Sequence, residues 1–510
     1  MTQTGLRKTM IINTISNYGK LLLGIFITIF LTRLLFLGLS REEYGIWALL
    51  WSIFGYSLLL DFGFGAAIQK STSETKVTKE WDKYNRLIST VFINYLFMGI
   101  LIAAITLFMA QYLHKMFNFN SADSISYYKK IFIMFGVGTA VIFPFGFFVE
   151  VLRGMHEIKL RNFIQMAFTI LNFGLMYYVI KSGFALKGMT IVTIGISLLT
   201  NLVMAVYSFR KIPTLKISLK LYDFKLLKQV MTFSIFAYII TFTNLIIYRT
   251  DQLVISIFAS VSLVAVYQIS SRLAMTFKQF SSQFLDNLAP VAASLFASKQ
   301  DNKLAKILIE SNRLLGFVST LLLVPLVVFV KPLLQIWLEL SDPDGIKVAI
   351  ILLFSMYIIV FFRSSSKNVL LMGNKHKTLS RVAIIECIAN LGLSIFLIYR
   401  LGIIGVAIGT FIPNLIITVL YSIPQAIKFS EISFKEFIMQ SVIHSLWIGA
   451  VTFAFAYGLR YLLYPTTFLM LLMVCALTAI FYLVLYYFFG TYGWERKQLK
   501  EFINKKLKRK

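Results

Sequence analysis

Residues 10–39 read MIINTISNYGKLLLGIFITIFLTRLLFLGL. The run is much longer than the apolar core of a secretory signal, and no small-residue cleavage site follows it. A bilayer core takes about 20 apolar residues per helix, so the stretch reads as a retained first membrane span. Its polar residues are not scattered. Asn13, Asn17, Lys20, Gly24 and Thr28 recur at helical spacing and form one stripe. A stripe of this kind needs something other than lipid to face.

The rest of the chain follows the same logic. Of 510 residues, 58% are apolar and 14% charged, yet the formal net charge is +28. Soluble domains run nearer 45–50% apolar and about 25% charged. A basic nucleic-acid binder would carry its charge on a hydrophilic chain, so no nucleic-acid partner is expected. Fourteen candidate spans can be counted: 10–38, 44–69, 87–113, 130–152, 161–181, 188–209, 229–258, 262–296, 307–330, 346–373, 379–400, 403–427, 437–462 and 466–489. The second half of the eighth is polar and is expected to protrude into the cytoplasm. The fold class is therefore all-α, a polytopic membrane protein.

Basic residues set the orientation. With the N-terminus in the cytoplasm, 32 of the 50 Lys and Arg residues fall on the cytoplasmic side, about 10 outside and about 8 within spans. An even number of spans returns the C-terminus to the cytoplasm. There, 490–510 reads as an interfacial amphipathic helix or a disordered basic anchor. Leu499, Phe502, Ile503 and Leu507 share one face, and Lys505, Lys506, Lys508, Arg509 and Lys510 crowd the end.

Four short matches point to an internal repeat. Tyr44-Gly-Ile46 pairs with Tyr267-Gln-Ile269, and Leu152-Arg-Gly154 with Leu371-Met-Gly373. Asn172-Phe-Gly-Leu175 pairs with Asn390-Leu-Gly-Leu393, and Gly188-Met-Thr-Ile-Val-Thr193 with Gly405-Val-Ala-Ile-Gly-Thr410. The offsets, 217 to 223 residues, span six helices and preserve membrane orientation, so the repeats are parallel. The expected organisation is a six-helix lobe over 1–220, a second over 221–428 and an added hairpin over 429–489. Two similar lobes around a central cavity make a transporter architecture.

Ionisable groups inside spans are costly and mark cavities, pairs or pathways. Lys20, Arg249, Arg272, Arg363 and Lys367 are the candidate lining of a cationic cavity, suited to phosphate or another anion. The bland alternative gives some of them purely structural partners, Arg249 and Asp251 among them. Asp61, Asp251, Asp286 and Glu386 are the acidic candidates for ion coupling. Pro144, Pro290, Pro325 and Pro413 are candidate kinks.

Catalytic chemistry finds little support. The chain lacks a G-x-x-x-x-G-K-[ST] phosphate loop and an H-E-x-x-H motif. His114, His156, His376 and His444 are dispersed, and Cys387 and Cys475 sit in apolar runs without ligand company. No cofactor, metal or catalytic residue is expected. Glu339, Asp342 and Asp344 form an outer acidic cluster that reads as a solvated turn.

The stretches Ser40-Arg-Glu-Glu-Tyr-Gly45, Leu60-Asp-Phe-Gly-Phe-Gly65, Arg249-Thr-Asp-Gln-Leu-Val-Ile255, Val266-Tyr-Gln-Ile269, Leu288-Ala-Pro290 and Gly405-Val-Ala-Ile-Gly409 carry a family likeness. Over most of its length the chain resembles the polysaccharide flippases of the multidrug/oligosaccharidyl-lipid/polysaccharide exporter superfamily. The resemblance implies a bacterial inner-membrane protein. Its cargo would be an oligosaccharide on a polyprenyl diphosphate, carried to the outer leaflet for capsule, O-antigen or exopolysaccharide assembly. Membrane lipids, a polysaccharide polymerase and glycosyltransferases are the implied partners. A peptidoglycan-precursor flippase and a drug or cation antiporter of the same superfamily are the alternatives, and a membrane glycosyltransferase is a remoter one. Outward movement of an anionic headgroup runs with an inside-negative potential, worth about 2.3 kcal/mol per charge per 100 mV.

Overall fold

The computed structural model describes residues 3–119, 125–233, 235–286, 301–373 and 375–491. Among them every regular element is helical. In chain order the helices are α1 (Gln3–Gly38), α2 (Arg41–Gly55), α3 (Phe64–Thr78), α4 (Trp81–Met116), α5 (Ile125–Ile142), α6 (Phe148–Gly154), α7 (Ile158–Lys181), α8 (Ala185–Lys211), α9 (Phe224–Phe233), α10 (Ile235–Phe258) and α11 (Val261–Asp286). They continue as α12 (Asp301–Val328), α13 (Val330–Leu338), α14 (Pro343–Ile358), α15 (Ser364–Met372), α16 (His376–Ile417), α17 (Ile423–Phe429), α18 (Phe434–Phe437), α19 (Ile443–Leu462) and α20 (Phe468–Leu485).

Among the described residues 11 helical segments are long and apolar enough to cross a membrane. One of them, His376–Phe429, turns back at Gly402, whose φ of 56° is open to glycine at little cost, and so makes two crossings. Helices α10 and α11 are long enough but more polar. The whole set is consistent with fourteen crossings. Large apolar side chains point outward along these helices, with Tyr461 87% and Leu469 78% exposed. Such a surface is stable only where lipid replaces water. The protein is a multi-pass membrane protein.

Several spans that read as continuous in sequence are broken. The second span ends at Gly55, tightens into a 3₁₀ turn over Tyr56–Asp61 and restarts at Phe64. Phe62 (φ 46°) and Gly63 (φ 83°) both take the left-handed conformation at the break. The Asp61 carboxylate accepts the Gly65 N–H at 3.2 Å, covering a free donor in the first turn of α3. In the fourth span Pro144 interrupts the helix with a short 3₁₀ turn, Phe143–Phe145, as its missing N–H demands. Pro325 and Pro413 lie inside helices, and Pro290 falls outside the described residues.

Contacts divide the chain into two compact units, Met1–Ala265 and Val266–Lys510. The division falls later than position 220, where the first lobe is expected to end. Helix α10 packs on α2, and the turn after it is stapled to the end of α4. There the Asn118 N–H donates to the Ser256 carbonyl (3.0 Å) and the Val261 N–H to the Asn118 carbonyl (3.1 Å). The Asn118 amide reaches Ile257 O and Ala259 O as well. Gly45 lies directly against the Val261 carbonyl, where any Cβ would collide.

Within the first unit, Phe64, Ile68, Tyr84, Val91, Phe147, Phe148 and Val151 form a closely packed core. The segment that follows α8 is laid along α4, where Asn85 brackets it by bonding Thr214 O and Lys216 N–H. Within the second unit, α12, α19 and α20 close around Val324, Val328, Ala456, Leu471 and Val474. The predicted tail helix lies beyond residue 491, outside the described residues.

Candidate functional site

In the first unit α1 and α7 run side by side, and their shared face is polar. Lys20 Nζ donates to Gln165 Oε1 at 2.5 Å. One turn earlier on α7, the Asn162 amide donates to Ser16 Oγ (3.0 Å) and Asn17 Oδ1 (2.6 Å). The stripe seen in the first span therefore meets side-chain amides on α7, Asn162 at Asn17 and Gln165 at Lys20. Asn13 falls among residues whose side chains are not described. Arg161 completes the group, donating to Asn162 Oδ1 at 3.1 Å while only 8% exposed. Arg153 and Arg161 both lie within electrostatic reach of Lys20. Arg153 is paired with Glu150 at 3.2 Å.

Asp61 belongs to a neighbouring cluster. Besides the Gly65 N–H, its carboxylate takes the Tyr95 hydroxyl. A Cβ on Gly65 would stand 3.4 Å from the Glu150 side chain and 3.6 Å from both Asp61 oxygens, so the two carboxylates flank this glycine.

Arg249 has a structural task. Its guanidinium lies across Gly55 and donates to Trp51 O in the last turns of α2. Ser52 Oγ returns a bond to Arg249 O (2.5 Å), and the Tyr56 and Thr250 hydroxyls meet at 2.6 Å. Arg249 thus holds the break in the second span, a contact worth about 1.5–3 kcal/mol for a charged donor. Asp251 is buried on the same helix.

In the second unit the structure brings together two residues that the sequence assigned to different roles. Arg363 Nη1 and Nη2 meet Glu386 Oε1 and Oε2 at 2.6 and 2.5 Å, a two-pronged ion pair. The arginine closes a π-helical turn, Ile359–Arg363, between α14 and α15. Asn414 on α16 accepts a longer bond from Arg363 (3.4 Å) and is itself anchored to Ser355 O at 2.8 Å. The Arg363 charge is therefore balanced within the protein. Lys367 lies one turn on, within reach of Arg363, Lys278 and Glu386. Arg272 is exposed and has no carboxylate partner among the described residues. Asp286 ends α11, but its side chain is outside the described part.

Sequence reasoning missed Lys278, and it treated Arg153 and Arg161 as topological charge. The available signal was the spacing in Arg161-Asn-Phe-Ile-Gln165, which puts Arg161 and Gln165 on one helical face. Among the described residues no group of three or more His, Cys, Asp or Glu side chains could hold a metal ion.

The profile of a family described as polysaccharide biosynthesis protein matches residues 30–339. The chain belongs to this family. Its fold is also that of the MOP superfamily. A lipid II flippase, MurJ, in an inward closed conformation superposes with a TM-score of 0.68 at 16% identity, covering 94% of this chain and 99% of that one. An inward-facing multidrug resistance MATE family transporter of the MOP superfamily gives 0.68 at 15% identity, covering 80% and 95%. A MOP superfamily transporter from Pyrococcus furiosus, described for the reverse polarity of its binding pocket, gives 0.60 at 14%, covering 83% and 96%. No curated protein matches the sequence. At these identities the superpositions fix the fold alone.

Proposed function

We propose that this polysaccharide-biosynthesis membrane protein is a flippase. It moves an oligosaccharide repeat unit on a polyprenyl diphosphate from the cytoplasmic to the outer leaflet by alternating access, in a bacterial inner membrane with both termini cytoplasmic. The observation that carries this reading is the excess of cations on polar helix faces within the membrane-spanning part. Lys20 has an amide as its hydrogen-bond partner, and Lys367 sits beside two further cations and one carboxylate. A diphosphate headgroup supplies the missing negative charge. Cationic cargo would call for the opposite balance, which weighs against a drug or cation antiporter.

The five cations divide into two roles on this reading. Lys20, Arg272 and Lys367 face the headgroup. Arg363 holds the start of the helix that presents Lys367 through Glu386, and Arg249 holds the break in the second span through Trp51 O. Asp61 and Glu386 serve local structure through the Gly65 N–H and Arg363, leaving Asp251 and Asp286 as the remaining acidic candidates for ion coupling. Transport involves no covalent step, so no cofactor is invoked. A polymerase and glycosyltransferases are the natural partners, since they consume and build the cargo.

Deletion of the gene tests the cargo class. Loss of surface polysaccharide with continued growth and intact cell walls is the expected result. Lysis with accumulation of the peptidoglycan lipid precursor would assign the protein to that pathway instead.

A further inference from the structure

We propose that Arg161, with Lys20 and Arg153, forms an anion site at the cytoplasmic start of α7 that holds a phosphoryl group. The inference rests on the flippase reading and deepens it by naming where the first unit grips the headgroup.

The argument begins with burial. Basic residues at the cytoplasmic ends of spans ordinarily extend their charge into water. Lys159, two residues earlier, is exposed in that way, and so is Arg153. Arg161 is instead 8% exposed. Its Nε is sealed from solvent and meets no hydrogen-bond acceptor among the described residues. Its side-chain bond goes to a neutral amide, Asn162 Oδ1, at 3.1 Å.

No carboxylate lies within ion-pair distance of Arg161 among the described residues. The two acids closest in sequence are already engaged. Glu150 pairs with Arg153 at 3.2 Å, and Glu157 pairs with Lys211 at 2.6 Å. Lys20 is also held by a neutral acceptor, Gln165 Oε1. Three cations thus share one carboxylate, Glu150, which is paired directly with Arg153 and reaches Arg161, the most buried of them, only at longer range. A buried charge of this kind is tolerated where a ligand completes it.

The donor set indicates which ligand. A guanidinium offers planar paired N–H groups that match two oxygens of one phosphoryl group. The Lys20 ammonium, held on the neighbouring helix by Gln165 one turn along α7, adds a point charge to the same or an adjacent phosphoryl group. A spherical halide would use neither the fork nor the spacing. The shared chemistry is a phosphate ester or diphosphate, which either a lipid headgroup or a free phosphate could bring.

Thermal unfolding of the full chain in detergent tests the proposal, with inorganic pyrophosphate and a polyprenyl diphosphate as separate probes at constant ionic strength. Each is expected to raise the melting temperature of the wild-type protein saturably, whereas chloride is not. Arg161→Gln is expected to weaken the apparent affinity for both probes at least tenfold, and Arg161→Lys to restore part of it. A response to the lipid alone, lost in Arg161→Gln, would also support the site and assign it to the lipid headgroup. Without ligand, Arg161→Gln should melt no lower than wild type, because it removes an uncompensated charge. The proposal is overturned by an unchanged probe response in Arg161→Gln, by an equal response to chloride, or by no response in wild type. An Arg161→Gln protein that melts lower without ligand yet keeps its probe response would make Arg161 structural and also overturn it. None of these results bears on whether the protein flips lipid, which vesicle transport reads independently.

Discussion

Replacing Lys20, Arg272 and Lys367 together with glutamine is expected to bring surface-polysaccharide export down to the level of a gene deletion, with the protein still present in the membrane. Each charge-assisted bond to a phosphate contributes about 1.5–3 kcal/mol, so losing three amounts to more than a hundredfold in headgroup binding. None of the three charges forms an ion pair with a carboxylate among the described residues. Lys20 contacts a glutamine, Arg272 is exposed, and Lys367 lies beside like charges. Quantifying surface polymer against membrane-inserted protein checks the expectation. Wild-type export from the triple variant would remove the cationic faces from the mechanism.

The second large effect concerns the Arg363–Glu386 pair. Glu386→Ala is expected to destabilise the second unit by about 3–5 kcal/mol, the usual consequence of leaving one partner of a buried ion pair uncompensated. The Glu386 side chain is 6% and that of Arg363 18% exposed, so water cannot take the missing partner's place. Arg363→Met combined with Glu386→Leu should recover most of that loss, since apolar replacement of both partners avoids the desolvation cost. Thermal unfolding of the purified single and double variants measures this directly. A Glu386→Ala protein as stable as wild type would show that the pair contributes no net stability. Arg363→Gln, by the same argument, should reduce protein level as well as export, which separates it from Lys367→Gln.

The membrane spans were legible because apolar runs near 20 residues have a single physical reading. The more polar helices α10 and α11 overlap the candidate spans 229–258 and 262–296. The breaks at 56–63 and the π-helical turn at 359–363 were not legible. They depend on side chains that arrive from elsewhere in the chain. Arg249 caps Trp51 from a helix almost 200 positions later, and Tyr95 binds Asp61 across a span. Pro144 was the exception, since its missing donor announces the interruption locally.

The candidate site was legible as a list of residues but not as a set of pairs. Arg363 and Glu386 stand 23 positions apart on successive crossings, and sequence alone gave one to cargo and the other to ion coupling. Arg161 was counted with the cytoplasmic charges because its burial depends on α1 packing against α7. The contact boundary at Ala265 was not legible either, because it depends on where Asn118 and Gly45 hold the turn after α10.

Lipid translocation by the purified protein in sealed vesicles tests the central claim most directly. A polyprenyl-diphosphate oligosaccharide carrying a fluorophore on its sugar is placed in both leaflets, and a membrane-impermeant reductant bleaches what reaches the outside. Vesicles with the wild-type protein should lose nearly all fluorescence, while those with the triple glutamine variant lose the half that protein-free vesicles lose. Wild-type vesicles that also stop at one half would contradict the assignment of this protein as a lipid-linked oligosaccharide flippase.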